Sequence, residues 1–222
     1  MGPAARAAAS GHRSPVARLT TAAGATRQRG ALAALTLTLA RLALAPAFVA
    51  IALTRRGGIL AATLLVVGFL SDVFDGVVAR RFDVATATLR RLDSSVDTVF
   101  YLCVAYAAWR IAPAPLRAVR WGVTAVLATM ALNYLVEWLR FRREASYHAR
   151  SARLFGLVLF AALAWLLATG SGALLPAAIV CGLVSHFENL AITLILPRWH
   201  HDVPSAAHAW RIRRAELSHD LA

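Results

Sequence analysis

Lysine is absent from this chain of 222 residues, and its fixed positive charge is carried by arginines, 24 in all. Acid is scarce too: eleven aspartates and glutamates leave a formal net charge of +13. Charged residues make up only 16% of the sequence and hydrophobic residues 59%, with a mean hydropathy of +0.60. So little charge on so much apolar sequence argues against a soluble domain and for a membrane protein. The missing lysine is the ordinary outcome of a GC-rich genome. A basic chain also suggests nucleic acid, but these arginines stand between apolar runs rather than on one patch, so no nucleic-acid partner is expected. There are only two cysteines, Cys103 and Cys181, each inside an apolar run. Neither has the spacing of a zinc site or a disulfide framework, and both read as small membrane-buried residues.

What is present is long apolar sequence. Six stretches approach the length that crosses a bilayer, at 32–53, 59–79, 93–111, 116–138, 154–169 and 173–196. The expected fold is therefore all-α, an integral membrane bundle of six transmembrane helices. The first stretch is too long for a signal peptide and lacks a cleavage site. Residues 1–30 contain five arginines and no acid, the composition of a disordered basic tail. Residues 198–222, with Arg211, Arg213 and Arg214, read as a second basic tail lying on the membrane surface. The domain proper then spans 31–197.

Arginine also sets the topology. With the amino terminus inside, eighteen arginines fall on the cytoplasmic side and five on the other, and Arg41 lies within the first span. That asymmetry predicts both termini in the cytoplasm. It places the cytoplasmic end of spans two and three beside the most acidic segment of the chain.

Five of the eleven acids lie between Asp72 and Asp97. An aspartate at mid-membrane costs about 2.5–3.5 kcal/mol on insertion scales and less near the interface. Four of them beside apolar helix call for a cation. Arg80, Arg90 and Arg91 are nearby in sequence and offer the simplest counter-ions. The spacing points further. At about 100° per residue, Asp72, Asp75, Gly76, Ala79 and Arg80 share one side of span two. Asp93 and Asp97, four apart, are neighbours on span three. Antiparallel helices joined by a short loop can aim both carboxylate pairs at one point. Hard carboxylate oxygens suit Mg²⁺ or Mn²⁺, and no histidine or cysteine set competes with them. Gly76 and Ala79 keep that face small, which serves close helix packing and leaves room for a ligand alike.

The run Asp72-x-x-Asp75-Gly76-x-x-Ala79-Arg80, followed by Asp93-x-x-x-Asp97, resembles the signature of the CDP-alcohol phosphatidyltransferases. Thr38, Arg41 and Pro46 are similar to the threonine, arginine and proline of that family's first helix. The resemblance implies displacement of CMP from a CDP-linked donor, usually CDP-diacylglycerol, by a polar alcohol, in a multi-pass protein of the bacterial-type inner membrane and a homodimer. It implies two divalent ions held by Asp72, Asp75 and Asp93, with Asp97 close to a metal and acting as general base. Gly76, Ala79, Arg80 and Arg41 would border the nucleotide. Direct transfer and a two-step path through a phosphoryl-aspartate both remain open.

Two positions depart from the family pattern. Leu89 stands where the family has a glycine four residues before the third aspartate, and Leu35 stands at the spacing of an early asparagine. Either the third helix starts after Leu89, or the nucleotide pocket is reshaped, or the chain has lost activity.

On the acceptor side, the segment holding Arg140, Arg143, His148, Arg150 and Arg153 joins spans four and five. It offers a clamp for a phosphate on the acceptor, or a basic loop touching anionic headgroups among the membrane lipids. His186, Glu188 and Asn189 lie within span six, where Glu188 is a functional candidate or a structural partner for an arginine such as Arg41. Two rivals remain: a transporter using the aspartates as an ion site, and a non-catalytic homologue. Secondary transporters usually carry internal repeats, and the two halves of this chain show none.

Overall fold

The computed structural model describes residues 15–55, 57–82, 87–142, 147, 149–200 and 202–220, with the side chains of 15–27, 79–80, 87–91, 94 and 218–220 outside that description. The described residues form eight α-helices and no strand: α1 (Pro15–Thr54), α2 (Ile59–Arg81), α3 (Ala87–Ile111), α4 (Pro113–Ala118), α5 (Arg120–Phe141), α6 (Arg150–Thr169), α7 (Leu175–Ile195) and α8 (Ala206–Asp220). This is the expected all-α class. Five stretches are long and apolar enough to cross a membrane: Gln28–Thr54, Ile59–Val78, Arg120–Phe141, Arg150–Thr169 and Leu175–Ile195. α3 falls outside that set because its first half carries arginines and aspartates. Its 25 residues nonetheless extend roughly 37 Å at 1.5 Å per residue, enough for a hydrocarbon core of about 30 Å, so we count it as the sixth span.

Several boundaries differ from the sequence expectation. α1 begins at Pro15, well before residue 32. Span four does not start at residue 116: prolines at 113 and 115 set off the short helix α4, and the spanning helix begins at Arg120. Span five, expected to be the shortest, gains a turn at its start and runs for 20 residues. The helix ends follow local chemistry. Gly170 closes α6 at φ 71°, the left-handed conformation that glycine adopts without steric cost. Pro46 sits inside α1, tolerated in a membrane where neighbouring groups take up the freed carbonyl.

The chain divides into two compact units, Met1–Leu44 with Gly68–Tyr101, and Ala45–Val67 with Leu102–Ala222. In the first, α1, α2 and α3 contribute buried Ala34, Val96 and Phe100 beside polar Thr38, Arg41 and Asp75. Gly68 on α2 lets the Phe100 ring approach so closely that a Cβ there would stand 2.3 Å from Phe100 Cζ. In the second, α5 and α6 both pack on α7, and α7 on α8. Tyr147, Ala149, Ile192, Leu196, Val203 and Ala209 form a buried cluster that ties the α5–α6 connection to α8. Large apolar side chains such as Leu102, Leu139, Leu157 and Val180 are more than half exposed, as expected of surfaces solvated by lipid.

Candidate active site on helices 1 to 3

Three short spacings build the site. Thr38 and Arg41 are three apart on α1, Asp72 and Asp75 three apart on α2, and Asp93 and Asp97 four apart on α3. Each pair therefore lies on one helical face. The faces converge on Arg41, whose side chain is 0% exposed. Its Nη1 lies 3.3 Å from Asp72 Oδ1 and 3.2 Å from Asp93 Oδ1. The same nitrogen pairs with Asp97, and Nη2 pairs with Asp75. Arg41 Nε donates to Ser71 Oγ at 3.3 Å, and the Ser71 hydroxyl donates to the Gly68 carbonyl at 2.8 Å. Thr38 Oγ1 lies 3.1 Å from the Ala34 carbonyl and 3.5 Å from Asp75 Oδ2.

The counter-ion at the centre is thus Arg41. Arg80, Arg90 and Arg91, the counter-ions expected from sequence, have side chains outside the described residues. Arg41 is remote in sequence, preceding Asp75 by 34 residues and Asp97 by 56, and only the packing of α1 on α2 and α3 closes that gap. Ser71 escaped notice for a simpler reason: a serine beside an acidic motif reads as an ordinary small polar residue.

Charge decides what else the site accepts. Four carboxylates face a single guanidinium in this set. Ligand oxygens of Asp72, Asp75 and Asp93 lie within 4.8 Å of one another. A close set of hard carboxylate oxygens fits a divalent ion of the Mg²⁺ or Mn²⁺ kind.

Gly76 lies on α2, one residue past Asp75. Ala79 and Arg80 belong to the same helix, with side chains outside the described residues. Leu89 is helical, in the first turn of α3. A helix beginning after Leu89 is therefore excluded, leaving a reshaped pocket or lost activity. On the acceptor side, Arg143 and His148 lie outside the described residues. Arg150 and Arg153 occupy the first turn of α6, and Arg140 Nη2 donates to the Leu196 carbonyl at 2.8 Å.

Of the polar residues expected in span six, His186 and Glu188 have structural partners, whereas the buried Asn189 Oδ1 has no hydrogen-bond partner among the described residues. His186 Nδ1 lies 3.0 Å from Thr129 Oγ1 and 3.1 Å from the Val126 carbonyl, and Asn133 Nδ2 donates to the His186 carbonyl at 3.0 Å. These bonds tie α5 to α7 inside the span. Glu188 Oε1 accepts from the Ala206 amide at 3.4 Å, where α8 begins. Tyr147 is buried, with its hydroxyl 3.0 Å from Thr193 Oγ1. Burial pushes its phenol above the ordinary value, against the opposing pull of the Thr193 bond.

The family model for CDP-alcohol phosphatidyltransferase matches residues 31–194. That is most of the chain, including α2, α3 and every aspartate of the cluster, and the protein belongs to this family. It is a membrane protein of a phosphotransferase family that moves a phosphatidyl group from a CDP-alcohol to a second alcohol in phospholipid biosynthesis. No curated protein and no solved structure matches the chain.

Proposed function

We propose that this protein transfers a phosphatidyl group from CDP-diacylglycerol to a polar alcohol and releases CMP. The observation that carries the proposal is the convergence of four aspartates from α2 and α3 on one buried arginine, within a chain of this family.

In this scheme Asp72, Asp75 and Asp93, with Asp97 beside them, hold two divalent ions, Mg²⁺ or Mn²⁺. Such ions, when bound, offset the charge of the donor diphosphate and of departing CMP. Asp97 accepts the proton of the acceptor hydroxyl. The freed oxygen attacks the phosphorus that carries diacylglycerol, and the bond from that phosphorus to the oxygen of CMP breaks, with CMP keeping the electron pair. Arg41 fixes the orientation of Asp75 and Asp97 through its two terminal nitrogens. Gly76, Ala79, Arg80 and Arg41 border the nucleotide, and Leu89 reshapes that pocket without closing it.

A phosphate-bearing acceptor, such as glycerol phosphate or inositol phosphate, suits Arg140, Arg143, His148, Arg150 and Arg153. Its support is that Arg150 and Arg153 flank the amino end of α6, where free amides and the helix dipole favour an anion. The excess of arginine on one side supports an inner-membrane location with both termini cytoplasmic. The same reasoning gives a domain at 31–197 between basic tails at 1–30 and 198–222. Family likeness supports a homodimer.

The deciding experiment incubates purified protein with CDP-diacylglycerol, Mg²⁺ or Mn²⁺, and a panel of alcohols, and measures CMP and lipid product together. Stoichiometric CMP and a new phospholipid, both requiring metal, are expected. Ion flux into liposomes without CMP would overturn the assignment in favour of transport. Absence of both CMP and donor binding would leave a non-catalytic homologue.

A further inference from the structure

Apart from the aspartate site, the second unit carries a line of polar side chains inside the membrane-spanning segments of α5 and α7. Thr129, Asn133 and Glu137 succeed one another every four residues on α5, so they share one face. Asn133 and Glu137 are buried, at 7% and 5% exposure. On α7, His186, Asn189 and Thr193 follow at intervals of three and four residues. None of these residues takes part in the transfer scheme.

The orientation of the Asn133 amide is fixed by its neighbours. Its Nδ2 donates to the Thr129 carbonyl at 2.9 Å and to the His186 carbonyl at 3.0 Å. Reversing the amide would set its oxygen against two carbonyl oxygens, so Oδ1 points the other way. That buried Oδ1 has no hydrogen-bond partner among the described residues, and the same holds for Asn189 Oδ1. The two amides are neighbours. A helical carbonyl opens towards the side chains three and four residues further on, and Asn189 is three residues past the His186 carbonyl that Asn133 holds. Two acceptor oxygens without donors are heavily penalised in a membrane interior. They call for a ligand that brings hydrogens or positive charge.

The surrounding groups favour charge. Glu137 sets a carboxylate one turn beyond Asn133 on the same face. Thr193 Oγ1 donates to the Asn189 carbonyl at 3.0 Å and lies 3.0 Å from the Tyr147 hydroxyl. Amide, hydroxyl and carboxylate oxygens are hard donors, suited to alkali and alkaline-earth ions rather than to zinc or copper. One carboxylate among neutral oxygens balances a single positive charge, whereas a divalent ion would leave excess charge in the span.

We infer that the oxygens of Asn133, Asn189 and Glu137 bind a monovalent cation of the Na⁺ kind, which bridges α5 and α7. The ion adds a cross-link beside the bonds from Asn133 and Thr129 to His186. The inference stands apart from the transferase proposal, because no aspartate of that site takes part.

Full-length protein in neutral detergent with EDTA is unfolded thermally over a series of NaCl concentrations, with N-methylglucamine chloride holding the ionic strength constant. A saturable rise of the midpoint with Na⁺ is expected, accompanied by saturable broadening of the sodium NMR line. Asn189→Leu keeps both bonds of Asn133 and should raise the half-saturating Na⁺ concentration roughly tenfold. Asn189→Asp replaces a neutral oxygen with an anionic one and should lower it. Glu188→Gln removes a charge next in sequence, on a side chain occupied with the Ala206 amide, and should shift it far less. The Na⁺ effect should persist in Asp75→Asn; its loss there would assign the ion to the aspartates and overturn the inference. Equal midpoints in Na⁺ and N-methylglucamine would also overturn it, leaving buried water as the partner of the two amides. So would equal shifts in Asn189→Leu and Glu188→Gln, or an unchanged response in both Asn189 variants.

Discussion

Arg41 Nη2 pairs with Asp75 Oδ2, joining a guanidinium with no exposed surface on α1 to a carboxylate 6% exposed on α2. Removing one member of a buried, charge-paired set is far costlier than the pair is worth, because the remaining charges stay desolvated. Arg41→Met is therefore expected to destabilise the fold by about 3–5 kcal/mol, read as a lowered midpoint in thermal unfolding of detergent-solubilised protein. Arg41→Lys keeps the charge but cannot reach several carboxylates as a planar fork does, and should fall between the two. A midpoint unchanged in Arg41→Met would show that the carboxylates are not held by this arginine.

Asp97 stands apart from the other three aspartates in its proposed role. Asp97→Asn keeps the shape and removes the base, so CMP release should fall by roughly 10²–10⁴-fold. Leu89→Gly, by contrast, should retain CMP release with a changed KM for the donor. Unchanged turnover in Asp97→Asn would sink the assignment of that residue.

Metal dependence separates ligands from bystanders. EDTA should abolish CMP release, and Mg²⁺ or Mn²⁺ should restore it. In Asp75→Asn the half-saturating metal concentration should rise at least tenfold, since a neutral amide replaces an anionic oxygen donor. The same shift in Glu188→Gln, a residue occupied with the Ala206 amide, would show that the effect is not specific to the cluster.

Gly68 gives a test of packing alone. Its added Cβ would meet the fully buried Phe100 ring, and overpacking of this kind costs typically about 1–3 kcal/mol. Gly68→Ala should lower the unfolding midpoint, and Phe100→Leu in the same chain should recover part of the loss. Additive destabilisation in the double variant would place the strain elsewhere.

Local spacing made the aspartates legible, because intervals of three and four residues put a carboxylate pair on one face whatever the rest of the chain does. Hydropathy marked the spans for the same reason. The place of Arg41 among the aspartates was illegible, since it depends on the packing of a third helix. So did the division of span four, where prolines 113 and 115 fit either a bent span or a separate short helix, and the structure takes the second. The arginines of the tail read from sequence as a basic segment on the membrane surface. Their convergence with Arg140 depends on α8 folding back on α7, which no local pattern encodes.

The separation of Arg41 from its partners also constrains how the protein is made. Synthesis runs from the amino terminus, so α1 emerges with its arginine 34 residues before Asp75 exists and 56 before Asp97. An arginine at the centre of an isolated helix costs about 2.5–3.5 kcal/mol on insertion scales. The first helix is thus a poor passenger alone and a good one in the company of the next two. In a glycosylation-based insertion assay, α1 alone should integrate less efficiently than its Arg41→Leu form, and that gap should narrow once α2 and α3 are appended. Biogenesis, on this view, holds α1 beside the insertion machinery until its counter-charges arrive.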